Sequence, residues 1–228
     1  MMSENIGRKF ILPGEFISEE SINLGEGVYK EEKKIYASVM GLLDLKRNFV
    51  RVIPITGKYV PHVNDYVIGI VNDTLFTGWE VNINAAYNGI LNGRDYINTF
   101  DISQEKLVKA LPPGSVILSS VREISPTKKI YMSMADRGAR VLKGGRLLTI
   151  NPTKIPRLIG KKSSMLSMIK REVKCTIIVG QNGRIWLDGK SELVSIAVKA
   201  IEIIEKNTQM PGLTDYITKI IIEQREKL

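Results

Sequence analysis

Fourteen lysines and arginines against three acids fall between Ser120 and Lys174, and cations at that density suit one chemistry, the neutralisation of phosphates. The whole chain of 228 residues carries a formal charge of +9, so the residues outside this stretch are net acidic. Charge confined in this way favours a polyanionic partner held along one face. Arg122, Lys128, Lys129, Arg137, Lys154, Arg157, Lys161 and Lys162 lie inside the stretch. Tyr87 and Arg94 precede it and offer a stacking ring and a further guanidinium. These ten are the candidate nucleic-acid contacts, although each alone reads as an ordinary solvated side chain.

Two glycine-bearing turns could bring backbone close to a ligand. In Gly160-Lys161-Lys162-Ser163 a glycine opens a loop between two helical segments, and two lysines follow it. A G-x-x-G loop clamps a nucleic-acid backbone because glycine leaves room for it. Serine holds the fourth position here, so two readings stand: a loop that attracts phosphate at longer range, or a structural turn with exposed lysines. Gly180-Gln181-Asn182-Gly183 reads as a hairpin turn, since Asn-Gly suits the two positive φ values of a type I′ turn. Gly180, Asn182 and Gly183 are therefore expected to be structural, at an interface with a neighbouring module.

Catalysis finds little support. One histidine and one cysteine, His62 and Cys175, cannot complete a structural zinc site, and no metal or cofactor is implied. H-E-x-x-H and P-loop patterns are absent. Glu31-Glu32 lies beside Lys33-Lys34 and reads as a charged turn. His62 is expected to be structural or solvated, and Cys175 a small buried hydrophobe. A single cysteine, the lack of an apolar core in Met1 to Phe10 and the lack of any run of ~20 apolar residues lead us to expect a cytoplasmic protein off the membrane.

The elements that must position these residues form three groups. Residues 1–60 read as a small β domain, with strands over Ile35 to Gly41 and Phe49 to Pro54. Tyr59-Val60-Pro61-His62 reads as a linker. Residues 61–144 read as a barrel of the OB type. Its strands are expected at Tyr66 to Val71, Trp79 to Ile83, Asn88 to Leu91, Ser115 to Ile124 and Lys129 to Met134. A helical insert runs from Ser103, a plausible N-cap, to Leu111. Residues 145–228 show the order β-α-α-β-β-α of a type I KH module, followed by one more helix from Leu213. Its second helix carries Met165, Met168, Ile169 and Val173 at helical spacing. The expected fold class is thus multidomain: a small N-terminal β domain, an all-β OB-fold barrel and an α+β type I KH domain.

Three blocks of residues carry a resemblance. They are Phe10 to Gly14 with Gly25-Glu26-Gly27, Tyr66 to Val71 with Trp79 to Asn84, and Ile155 to Lys162 with Val179 to Trp186. Together they resemble the archaeal exosome RNA-binding cap subunits, which carry an S-one type OB barrel and a KH domain. The resemblance implies a non-catalytic protein that recruits single-stranded RNA. It also implies a homotrimeric cap on a hexameric ring of RNase-PH-like subunits, which degrade RNA 3′→5′ with phosphate. The N-terminal domain would dock on that ring. S-one barrels often stack bases on aromatics of strands two and three and place a histidine shortly after. Thr77, Glu80 and Asn92 stand at those places here, so backbone capture without base preference is expected. Trp79 and Phe76 read as packing residues that could also reach RNA. A ribosome-associated or translation-related RNA-binding protein is the alternative reading, and a nuclease a further one.

Overall fold

The computed structural model describes residues 9–19, 22–46, 48–97, 103–207, 210 and 212–226. The chain divides into two compact units, Met1–Gly57 and Lys58–Leu228.

The first unit is all β. Its strands are β1 (Phe10–Ile11), β2 (Phe16–Ser18), β3 (Asn23–Leu24), β4 (Val28–Glu31), β5 (Lys34–Ala37), β6 (Gly41–Lys46) and β7 (Phe49–Pro54). They form a four-stranded sheet in the order β1-β6-β7-β3 and a three-stranded sheet in the order β2-β5-β4. Ile11, Ala37 and Val52 form the small core, with Ile17, Val28, Val39 and Leu43 against it. The strand expected over Ile35 to Gly41 is broken. β5 ends at Ala37, residues 38–40 bend, and β6 starts at Gly41. The reason is a change of sheet: β5 pairs with β4 and β2, whereas β6 pairs with β7 and β1.

The second unit opens with the barrel. Its strands are β8 (Tyr66–Leu75), β9 (Gly78–Asn82), β10 (Gly89–Asn92), β11 (Val116–Ile124), β12 (Ile130–Ser133) and β13 (Arg140–Leu142), with short helices α1 (Gly93–Tyr96) and α2 (Gln104–Ala110) before β11. β8 pairs with both β9 and β11, β11 with β12, and β12 runs parallel to β10, which closes five strands into a barrel. β13, which no sequence signal announced, pairs with the start of β11. Alternate residues turn inward, as period-two strands require: Val67 and Val71, then Trp79, Val81 and Ile83, are all buried. Ser103 caps α2 through its hydroxyl, which accepts from Lys106 N at 3.4 Å. Leu107 and Leu111 fill the barrel core from that helix, and the Trp79 indole donates to Leu107 O at 3.2 Å. Tyr59 is no free linker residue. It is buried, bridges to Ala85 and donates its hydroxyl to Asp65 at 2.6 Å.

The KH module follows as β14 (Arg146–Thr149), α3 (Ile155–Ile159), α4 (Ser164–Val173), β15 (Thr176–Val179), β16 (Arg184–Asp188) and α5 (Ser191–Lys206), with α6 (Leu213–Arg225) appended. The sheet order is β14-β16-β15, antiparallel throughout. Met165, Met168, Ile169 and Val173 turn one face of α4 into the core, where each such side chain contributes roughly 1.5–3 kcal/mol by leaving water. Leu213, Ile217 and Ile221 of α6 join the same core, so the last helix packs on its own chain. Cys175 is buried and its thiol donates to Val173 O at 3.4 Å, in line with a small hydrophobe. No described helix is long and apolar enough to cross a membrane.

Candidate nucleic-acid interface

A seam joins the barrel to the KH sheet within one compact unit. β8 turns the backbone of Tyr66 and Ile68 towards the KH module, and the turn between β15 and β16 meets it like an added strand. Gln181 N donates to Tyr66 O at 2.9 Å. The Asn182 side chain then imitates a peptide unit. Its Oδ1 accepts from Ile68 N at 3.2 Å, and its Nδ2 donates to Ile68 O and Ile83 O, both at 2.8 Å. Asn84 Nδ2 returns a bond to Asn182 O at 2.8 Å. Gly180 makes the approach possible, because a Cβ there would lie 2.8 Å from Ile68 N and 2.5 Å from Asn182 Oδ1.

This geometry corrects the turn reading. Only Gly183 takes a positive φ in the turn, 83°, and Asn182 does not. Gly183 N donates to Gly180 O at 3.2 Å and Gly180 N to Arg184 O at 2.8 Å. That is a three-residue turn with glycine in the left-handed position, not a type I′ turn. Asn182 is selected for its carboxamide, which is wholly buried, rather than for its backbone.

Arg184 completes the seam. Its guanidinium Nη1 donates to Ile68 O at 3.2 Å and to Asn82 O, and Nη2 donates to Asn82 Oδ1. Burial away from water draws its pKa below the ordinary value. Beside these bonds Ile68, Leu118 and Leu142 of the barrel pack on Trp186 of β16, whose indole donates to Gly144 O at 2.9 Å. Neither Arg184 nor Asn82 was expected to hold the modules together. No sequence signal links them, because their pairing spans 102 residues.

The candidate contacts distribute as follows. Lys128 and Lys129 sit in the exposed turn between β11 and β12. Ser125 Oγ accepts from Lys129 N at 3.0 Å and Ser125 O from Lys128 N at 2.9 Å. Lys128 has φ 61°, a left-handed backbone where glycine is relaxed and lysine is not. Its ammonium lies 5.8 Å from the centre of the Tyr87 ring. Arg94 lies in the first turn of α1, and Arg122 of β11 reaches the next residue, Asp95, at 3.5 Å. Arg137 is exposed after β12. Lys154 is half-buried ahead of α3, and Arg157 donates to Met210 O at 3.3 Å. Lys161 and Lys162 are exposed in the loop between α3 and α4. The structure thus joins Tyr87 to Lys128 and Arg122 to Asp95, while Arg157 is tied to its own module.

Of the two aromatics at the β8–β9 hairpin, Trp79 is core, as expected. Phe76 is a correction: it stands 84% exposed at the hairpin tip and packs on little. Thr77 is exposed, and Asn92 spends its carboxamide as the cap of α1, accepting from Arg94 N at 3.0 Å.

In the KH loop Gly160, Lys162 and Ser163 have φ of 75°, 51° and 61°. Ser163 therefore occupies the backbone that the fourth glycine of G-x-x-G would adopt without strain. Ser163→Gly is expected to stabilise the chain by about 1 kcal/mol, read as a higher urea midpoint at unchanged m-value. An unchanged or lowered midpoint would contradict it.

Among the described residues no group of three or more His, Cys, Asp or Glu side chains could hold a metal ion.

Comparison with known proteins adds the family. Residues 8–56 match the family described as Exosome RNA binding protein RRP4 N-terminal domain, and residues 145–193 match a KH domain family. The chain is 37% identical over 220 residues to the Exosome complex component Rrp4 of Methanosarcina mazei, covering 96% of this chain and 84% of that one. It is 37% identical over 226 residues to the protein of the same name from Pyrococcus furiosus, with coverage of 97% and 85%. A crystal structure assigned to the exosome complex RNA-binding proteins superposes with a TM-score of 0.71 at 33% identity, over 75% of this chain and 99% of that one. Identity of this level along almost the whole chain, on a barrel and KH sheet sewn together by Asn182 and Arg184, places the protein in the Rrp4 family of exosome complex components.

Proposed function

We propose that this chain is a non-catalytic RNA-binding subunit of an exosome. In that role it captures single-stranded RNA and passes it to a ring of RNase-PH-like subunits for 3′→5′ phosphorolysis, as one member of a homotrimeric cap, in the cytoplasm. Residues 1–60 would dock on the ring. Residues 61–144 and 145–228 would hold RNA as barrel and KH domain. The observation that carries this reading is the seam: it fixes the exposed Lys128-Lys129 turn of the barrel and the exposed Lys161-Lys162 loop of the KH module on one compact unit. The names of the relatives support the exosome as the assembly.

The reading predicts that binding is mainly electrostatic. If about four phosphates are neutralised, log affinity should fall with log salt at a slope of roughly −3, from about −0.7 per contact on a single strand. Titration of the full chain with a single-stranded RNA between 50 and 200 mM salt, the range where such slopes are steep, measures it; a slope near zero refutes electrostatic capture. The purified chain, given RNA, phosphate and magnesium, should leave the RNA at full length. Native mass measurement with ring subunits tests the assembly, and sedimentation with ribosomes instead would favour the translation-related alternative.

A further inference from the structure

The barrel carries a cleft that the capture of phosphates does not require. It measures about 280 Å³ and is lined by Tyr59, Val60, Pro61, Ala86, Tyr87, Ile124, Lys128 and Ile130. Almost all of its surface is apolar. The Tyr59 hydroxyl is committed to Asp65, so that residue gives the cleft only its ring. Desolvation and the neighbouring Asp65 hold this phenol far above its ordinary pKa, so it stays neutral. Tyr87 is half exposed, and the Lys128 ammonium sits over its ring. Lys129 follows directly in the chain.

We infer that this cleft takes one unstacked base of a single-stranded RNA, with the base against Tyr87 and its flanking phosphates on Lys128 and Lys129. This deepens the proposed RNA-binding role and rests on it. Three features select the occupant. The volume lies just below the ~300 Å³ at which ordinary small-ligand pockets begin, which suits one ring system rather than a folded strand. The walls are apolar and aromatic, which suits a π-face. The mouth is cationic, which suits the phosphates on either side of a base and not an apolar protein side chain. Few polar groups line the cleft, so base edges go unread and any base can enter. The site also differs in place from the strand positions Thr77, Glu80 and Asn92, which lack rings. Lys128 fits the same account: lysine is kept at φ 61°, where glycine would be relaxed. Backbone strain of this kind recurs where a side chain has work at a site.

The test compares a single-stranded RNA with an abasic strand of equal length and charge, both titrated against the full chain. Tyr87→Ala should weaken binding of the RNA about tenfold, the loss of one stacked base. Tyr87→Phe should bind as the wild type does. The abasic strand should bind weakly to wild type and Tyr87→Ala alike. Salt dependence should be unchanged in Tyr87→Ala and shallower by about 0.7 in Lys128→Gly, a variant whose fold the left-handed backbone protects. Equal binding of RNA by wild type and Tyr87→Ala, or equal losses on both strands, overturns the base site while leaving electrostatic capture intact. A Tyr87→Ala defect confined to association with ring subunits also overturns it, and gives the cleft to a protein. Absence of salt-dependent RNA binding by the wild type would instead refute the RNA-binding role itself.

Discussion

Asn182→Ala is expected to destabilise the barrel–KH unit by about 3–5 kcal/mol and to lower its thermal midpoint by roughly 10 °C. The carboxamide is fully buried and makes three bonds to barrel backbone. Alanine would orphan Ile68 N and Ile83 O in a seam without solvent, at about 1–3 kcal/mol each, and would leave a void besides. Ile68 O would keep the Arg184 guanidinium as a partner, which sets the upper end of the range. Asn182→Asp separates shape from hydrogen bonding. The carboxylate keeps the acceptor for Ile68 N but turns a charged oxygen on two carbonyls, so its folded pKa must rise above the usual ~3.9. A raised folded pKa means that the folded state holds the proton more tightly. The variant is therefore closest to wild type at and below about pH 4, and loses stability as pH rises from there. Urea unfolding at pH 4 and pH 8 checks both variants, and an Asn182→Ala midpoint within about 1 kcal/mol of wild type would remove the seam from the account.

Local signals revealed most of the fold, and the seam explains what they concealed. Strands with period two and helices with an apolar stripe each declare themselves within ten residues, which is why α3, α4 and β7 stand where the sequence put them. The family resemblance came from the same short blocks. Asn182 was visible as a turn residue, because turn chemistry is local. Its actual partners lie 99 and 114 residues away in sequence, and no periodicity links such positions. Arg184 was hidden for a related reason. Lone arginines ordinarily face water, and only the tertiary pairing with Asn82 makes burial tolerable. Phe76 and Trp79 show the limit from the other side. Both are aromatic and three residues apart, yet one fills the barrel and the other stands in solvent, because Phe76 lies in the hairpin tip beyond the last pair, Leu75 and Gly78, and Trp79 lies on β9. Charge density marks a basic stretch without resolving its members, and side-chain geometry was needed to see that Lys128 meets Tyr87 while Arg157 is tied to Met210.

Charge reversal at the two lysine turns should apportion RNA binding between the modules. Lys128→Glu with Lys129→Glu is expected to weaken single-stranded RNA binding on the order of 100-fold near 0.1 M salt and to flatten the salt slope by about 1.4, two contacts at ~0.7 each. Lys161→Glu with Lys162→Glu is expected to cost nearer 10-fold. The difference follows from what surrounds each pair. The barrel lysines flank an aromatic cleft that can hold a base between two neutralised phosphates. The KH lysines stand beside Ser163, where the glycine of a G-x-x-G loop would allow closer approach of the strand's backbone. All four side chains are exposed, so the substitutions should leave unfolding unchanged and the losses can be read as binding. The four-residue variant then tests whether one strand crosses both modules. If it does, the separate losses multiply, since each pair contributes its own contacts to the same bound state. If the modules instead compete for separate strands, removal of the stronger site leaves the weaker one carrying all residual binding, and reversal of Lys161 and Lys162 in the otherwise intact chain changes almost nothing. Equilibrium titrations by fluorescence anisotropy distinguish the two, and the multiplying outcome is the one expected if a single strand crosses both lysine turns.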